Sequence, residues 1–164
     1  MKTKLSIFII IASILSCNHN QDTQTVYKDQ IGDTSFDPNL DDINFKFCDS
    51  TNVLHKRTLV RYDGGLKALE NDLISSFKPK PSHKAFNGYF IIRFAINCNN
   101  ELGRYRMEIL DSNFNITECP EDMKQDLLAV FKNLKKWSHP FYEGKSYDGY
   151  TFYTIKIKNG TIEK

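Results

Sequence analysis

The stretch from Tyr89 to Asn97 constrains the fold of this chain more than any other. Phe90, Ile92, Phe94 and Ile96 fall on one side of it, and Arg93 and Asn97 fall on the other. A period of two is the mark of a β-strand with one buried face. Asn97-Cys98-Asn99-Asn100-Glu101 and Gly103 supply turn chemistry. Arg104 to Leu110 then alternates again, with Tyr105, Met107 and Ile109 on one face. Two such runs in succession predict a β-hairpin. A third run, Tyr150 to Lys158, puts Tyr153, Ile155 and Ile157 on one face and Tyr150, Phe152 and Lys156 on the other. Asn159-Gly160 is a turn, after which the last four residues either return or fray.

The dry side of such a sheet needs a cover, and two helical patterns offer it. After Gly64-Gly65, the residues Leu66, Leu69, Leu73 and Phe77 form one stripe with Ile74 alongside, and Pro79 and Pro81 stop it. A second helix is predicted from Pro120, with Glu121 and Asp122 at its start and Lys132, Lys135 and Lys136 near its end, as the helix dipole favours. Met123, Leu127, Phe131 and Leu134 make its stripe, and Trp137 closes it. The expected fold is α+β, with two helices packed on one face of a three-stranded antiparallel sheet. If the third strand pairs beside the first, the strand order is 2-1-3 and the last strand is an exposed edge.

The first residues speak of location. A basic start, Lys2 and Lys4, precedes an apolar run from Leu5 to Leu15 that is 11 residues long. That is too short for a stable bilayer span and suits the core of a signal peptide. Ile14-Leu15-Ser16-Cys17 then reads as a bacterial lipoprotein signal, cut before a lipidated Cys17. On this reading residues 1–16 are removed, and several acyl chains on Cys17 anchor the rest to a membrane, the outer membrane favoured. Residues 17–44 are polar and read as a flexible tether; a coil of that length reaches roughly 30 Å. The domain is expected over 45–164, with its core at about 61–158 and two short β-like runs, Phe45-Lys46-Phe47 and Thr58 to Tyr62, leading into it.

Charge excludes some partners. The 22 Lys and Arg fall to 20 when Lys2 and Lys4 are removed, against 20 acids, so the remaining chain is neutral. A neutral chain argues against general nucleic-acid binding. Cys48, Cys98 and Cys119 remain after Cys17, which allows one internal disulfide and one leftover thiol in an oxidising compartment; spacing does not choose the pair.

Gly64-Gly65-x-x-Ala68-Leu69, Pro81, Ala85, Gly88, Gly103, Trp137-x-x-Pro140-x-x-x-Gly144, Tyr150 and Ile155-Lys156-Ile157 follow one another in an order that resembles the TonB C-terminal domain family. The likeness covers about residues 61–158. It implies a binding module that adds a peptide strand from an outer-membrane transporter to its sheet edge. Carried over, the docking edge is the last strand, with Tyr150, Phe152, Thr154 and Lys156 on its exposed face. Two departures set the chain apart from an energy transducer. Its one apolar segment ends in a cleavage signal, and its tether holds a single proline, Pro38. A lipid-anchored envelope module that binds an envelope protein is therefore expected. The alternative is a scaffold that binds cell wall or pairs with itself through the same edge, which makes a homodimer conceivable.

Chemistry is sparser. His19, His55, His83 and His139 are scattered with no metal-ligand spacing, so neither a metal nor a cofactor is expected. His139, in Trp137-Ser138-His139-Pro140, reads as a loop former. Cys119 precedes a helix start, where a thiol can be acidified. It is the sharpest hint of a thiol enzyme, but a helix-leading residue or half of a disulfide explains it, and the chain reads as a binder and not an enzyme.

Overall fold

The structure is a computed structural model, and it describes residues 36–55 and 59–164. The expected hairpin is present: β2 (Gly88–Ile96) pairs antiparallel with β3 (Leu102–Asp111). The long last strand, β7 (Gly149–Lys158), pairs antiparallel with the other side of β2. This is the expected 2-1-3 order. The expected strand count is too low, however, because the sheet has a fourth strand on the far side of β7. The extra strand, β8 (Thr161–Ile162), returns because Asn159 and Gly160 both take left-handed backbone, φ 50° and 74°. Two left-handed residues in a row make a tight hairpin turn that matches strand twist. A Cβ on Gly160 would also lie 2.5 Å from the His83 backbone, so only glycine fits there.

Two more short ladders bring the described strands to eight. β1 (Arg61–Tyr62) pairs with β4 (Trp137–Ser138), and β5 (Phe141–Tyr142) pairs with β6 (Lys145–Ser146). The first ladder corrects the expectation for Trp137. The second helix ends at Lys132, and Trp137 sits on β4, where its ring meets Tyr62, Phe94 and Phe131 at 4.9 to 5.7 Å between centroids. It is core, as an anchor for that helix would be, but it is held by a strand. Of the two short β-like runs, Phe45-Lys46-Phe47 is irregular and Arg61–Tyr62 alone is strand; Thr58 lies outside the described residues.

The helices are α1 (Gly65–Ser76) and α2 (Glu121–Lys132). Leu69 and Leu73 of α1 are buried, with Phe77 just beyond it, but Leu66 is 62% exposed and does not join the stripe. Leu66 lies in the first turn of the helix, outside the core that Leu69 and Leu73 join. From α2, Met123, Leu127 and Phe131 are fully buried, followed by Leu134. They pack on Phe90, Ile92, Phe94, Ile96, Ile155 and Ile157, which form one continuous core with them. Each side chain of this kind stabilises the fold by about 1.5–3 kcal/mol when taken from water.

The other face of the sheet has its own cover at one end. Residues 36–55, part of which the sequence suggested was tether, cross it as a strap. Asp41 is buried and accepts from the Arg106 guanidinium at 2.8 and 3.3 Å. Phe45 lies against Gly103, where a Cβ would come within 2.2 Å of its ring. The Asn97 side chain donates to the Lys46 carbonyl at 2.9 Å. The single disulfide among the described residues, Cys48–Cys98, joins strap to hairpin across a Cα separation of 6.0 Å. The folded region therefore includes residues 36–44, ahead of the expected boundary at 45.

Candidate docking surface

The four predicted edge residues share one face of β7, as the period of two requires. In register, Tyr150 lies opposite Ala95, Phe152 opposite Arg93, Thr154 opposite Ile91 and Lys156 opposite Tyr89. This is the face turned away from the helices. The structure places them in different settings. Tyr150 is half-buried, with its ring 5.6 Å from Phe47 and 4.8 Å from His55, so the strap reaches over it. Phe152 is 39% exposed, and Thr154 and Lys156 are exposed. Lys156 holds Glu163 at 2.6 Å. The hydrogen bond to Glu163 pushes the Lys156 ammonium up, and Lys156 in turn holds the Glu163 carboxyl below its ordinary range. Beside this row, Arg93 on β2 pairs with Glu108 on β3 at 2.8 Å.

The backbone edge of β7 is narrower than the sequence suggests. The Tyr150 N–H donates to the Leu54 carbonyl at 2.9 Å, and Leu54 bridges in parallel to Gly149. At the far end, β8 pairs with Ile157 and Lys158, and the Glu163 N–H donates to the Lys156 carbonyl at 2.9 Å. Outward-facing backbone alternates along a strand, so Thr154 faces the same way as Lys156. Neither Leu54 nor β8 reaches Thr154. The expected exposed edge is thus closed at each end by segments of the chain itself.

Two residues that brace this region have partners that the sequence does not reveal. Asp148 is buried, and its carboxylate accepts the N–H groups of Asp49 and Cys98 at 2.8 Å each. Asn97 is buried as well, and its side-chain oxygen accepts the N–H groups of Asn99 and Glu101 at 3.0 and 2.9 Å. Together they hold the hairpin turn and the strap beside the start of β7. A buried polar residue next to a turn was the available hint, but its partner lies as far as 99 residues away.

The remaining predicted positions are accounted for as follows. Cys17 and His19 lie outside the described residues. His83 is fully buried and stacks on Phe77. Among the described residues, one group brings three metal-type side chains together, Cys48, Cys98 and Asp148, and its two sulfurs are bonded to each other. Cys119 is the free thiol among the described residues. Burial pushes it up to about 11, with help from Glu121 and Asp122 and against Lys124, so the acidification suggested by its place before α2 does not occur. No described helix is long and apolar enough to cross a membrane. Comparison with known proteins finds no matching family, no similar curated protein and no similar solved structure.

Proposed function

We propose that this chain is a lipid-anchored binding module of the cell envelope, and that it docks an extended segment of an envelope protein along β7. The observation that carries the reading is the row Phe152, Thr154, Lys156: three exposed side chains on one face of β7, a long strand that only the short β8 flanks on its outer side. The edge at Thr154 offers backbone hydrogen bonds, and the flanking side chains offer selection, as in strand addition generally. The closed ends limit the partner. An incoming strand is centred on Thr154 and ends against Leu54 on one side and Glu163 on the other. The Cys48–Cys98 disulfide suits a compartment outside the cytoplasm, in keeping with the signal ending at Cys17. The two helices on one face of a β3-β2-β7 core are what a TonB C-terminal-like module would have.

Photocrosslinking in the native envelope tests this, with the probe at Thr154, Lys156 or Tyr150 in turn. Crosslinks from Thr154 and Lys156 to one envelope protein, and few from the half-buried Tyr150, are the expected result. Crosslinks to a second copy alone would favour the self-associating scaffold. Silence at Thr154 would end the docking proposal. The anchor is tested separately: Cys17→Ser is expected to move the protein from the membrane to the soluble fraction, and unchanged membrane association would remove lipidation.

A further inference from the structure

Away from β7, three side chains from the β2–β3 turn, the β4–β5 connection and β6 meet in a relay. Asn100 lies in the β2–β3 turn, in left-handed backbone with φ 65°. Its Oδ1 is 2.8 Å from the His139 backbone nitrogen and 2.7 Å from His139 Nδ1. His139 Nε2 is 2.9 Å from the Ser146 Oγ. Chemistry then fixes the tautomer of the neutral ring. A backbone N–H can only donate, so the Asn100 atom beside it is the amide oxygen. That oxygen can only accept, so His139 Nδ1 carries the ring proton. In the neutral imidazole Nε2 is then bare, and the Ser146 hydroxyl donates to it. This is the arrangement in which an imidazole serves as general base to a serine.

We propose that Ser146 is a nucleophile activated by His139, positioned by Asn100, and that it accepts acyl groups from carboxylic esters with an apolar acyl part. Three features support the assignment. Ser146 is exposed, so a substrate can reach it. Phe141 lies directly across the β5–β6 hairpin from Ser146 and is 62% exposed. Directly opposed side chains share a face, so its ring offers an apolar surface next to the hydroxyl. The Tyr147 N–H donates to the Pro140 carbonyl at 2.9 Å, and hydrogen-bonded pairs alternate along a hairpin. The Ser146 N–H is therefore not used by the ladder and can donate to the developing oxyanion.

In the reaction the Ser146 Oγ forms a bond to the ester carbonyl carbon while its proton passes to His139 Nε2. The tetrahedral intermediate then breaks the bond to the alcohol oxygen, which takes the proton from Nε2. Water attacks the acyl-serine by the same route: its proton passes to Nε2, the acyl–Oγ bond breaks, the carboxylic acid leaves, and the proton returns to Ser146. Asn100 is neutral and steadies the imidazolium less than a carboxylate would, and one N–H is a sparse oxyanion site. Covalent capture is accordingly a more sensitive readout than turnover.

The experiment treats the full chain with a fluorophosphonate probe and maps the adduct by mass spectrometry. The expected result is an adduct at Ser146 that is absent at the nearby Ser138 and slowed about 100-fold or more by His139→Gln. Asn100→Asp keeps both acceptor contacts and adds a charge that steadies the imidazolium. It is expected to speed labelling, whereas a purely structural role for the relay predicts no change. An unmodified Ser146, or labelling of Ser146 that survives His139→Gln in a folded protein, would overturn the proposal. If His139→Gln loses its native circular dichroism, the Asn100→Asp rate decides: no acceleration overturns it.

Discussion

The two faces of the main sheet are held by different physics. Toward the helices, Phe90, Ile92, Phe94 and Ile96 are fully buried among side chains that ask only for dryness and volume. On the other face, the strap depends on matched polar partners: Asp41 with Arg106, 65 residues apart, and Asn97 with Lys46, 51 apart. Apolar burial is non-directional and tolerates repacking, whereas a buried charge without its partner has no substitute. The first face should therefore govern whether the domain folds, and the second should govern how much of β7 is open to a visitor.

The largest effect is expected where the core is most interlocked. Phe94 is fully buried, with its ring 5.1 Å from Phe131 and 4.9 Å from Trp137. Phe94→Ala should cost about 3–5 kcal/mol in urea unfolding, by loss of transfer energy plus a cavity. A cost near that of an exposed site would mean that the helix-facing layer is not the source of stability.

Asp41→Ala should follow closely, at about 3 kcal/mol, because it strands the Arg106 guanidinium in a buried site. Here pH adds a second readout. Burial pushes the Asp41 carboxyl up, but the hydrogen bond and charge of Arg106, the Asp37 N–H and the charge of Arg104 outweigh it, and the net is below the ordinary range. A carboxyl lowered by folding adds stability above its ordinary value of about 4, and that stability disappears as pH falls through the lowered value. Protection of strap amides from hydrogen exchange, taken relative to the intrinsic exchange rate at each pH, should therefore fall on acidification in the parent, and be already low and less pH-dependent in Asp41→Ala.

These differences explain what the sequence could disclose. The alternation at 89–97 and the burial of Leu69, Leu73, Met123, Leu127 and Phe131 were legible, because each depends on spacing within a single element, whereas the 2-1-3 order rested on supposing that the third strand pairs beside the first. Leu66 was misread, since periodicity cannot tell which end of a stripe runs past the sheet. The core role of Trp137 was legible, but its place on a strand was not, because its partner Tyr62 lies 75 residues away in sequence, on a ladder two residues wide. The strap was read as tether, because few aliphatics stand in it and its hold on the sheet comes from Asp41, Phe45 and Cys48. On β7, the shared face was legible, but the closing of its edge by Leu54 and Glu163 was not, since it depends on contacts from both ends of the domain.

The disulfide offers a way to sharpen the comparison. Replacing Cys48 and Cys98 together with serine should cost about 2–4 kcal/mol. It should free the strap before the core, so amide exchange at Asp49 and Tyr150 rises more than at Phe90 or Ile92. Uniform acceleration over both faces would show that strap and core open as one unit. Gly103→Ala acts on the same boundary without touching a charge. The new Cβ would overlap the Phe45 ring, and overpacking of this kind costs about 1–3 kcal/mol. Its effect should again concentrate in the strap.

The smallest effect on stability is expected at Phe152, and it is the one that separates folding from docking. Phe152 is 39% exposed on the outer face, opposite Arg93. Its ring is therefore already in partial contact with water, and Phe152→Ser should shift unfolding by no more than about 0.5 kcal/mol, as for most surface substitutions. If β7 docks an extended segment, the same substitution removes an apolar contact beside Thr154, and the crosslinking yield from Thr154 should fall several-fold in a protein of near-parental stability. A large loss of stability with unchanged crosslinking would reverse the assignment: Phe152 would belong with the core-facing residues in function, and the open part of the outer face would be structural as well.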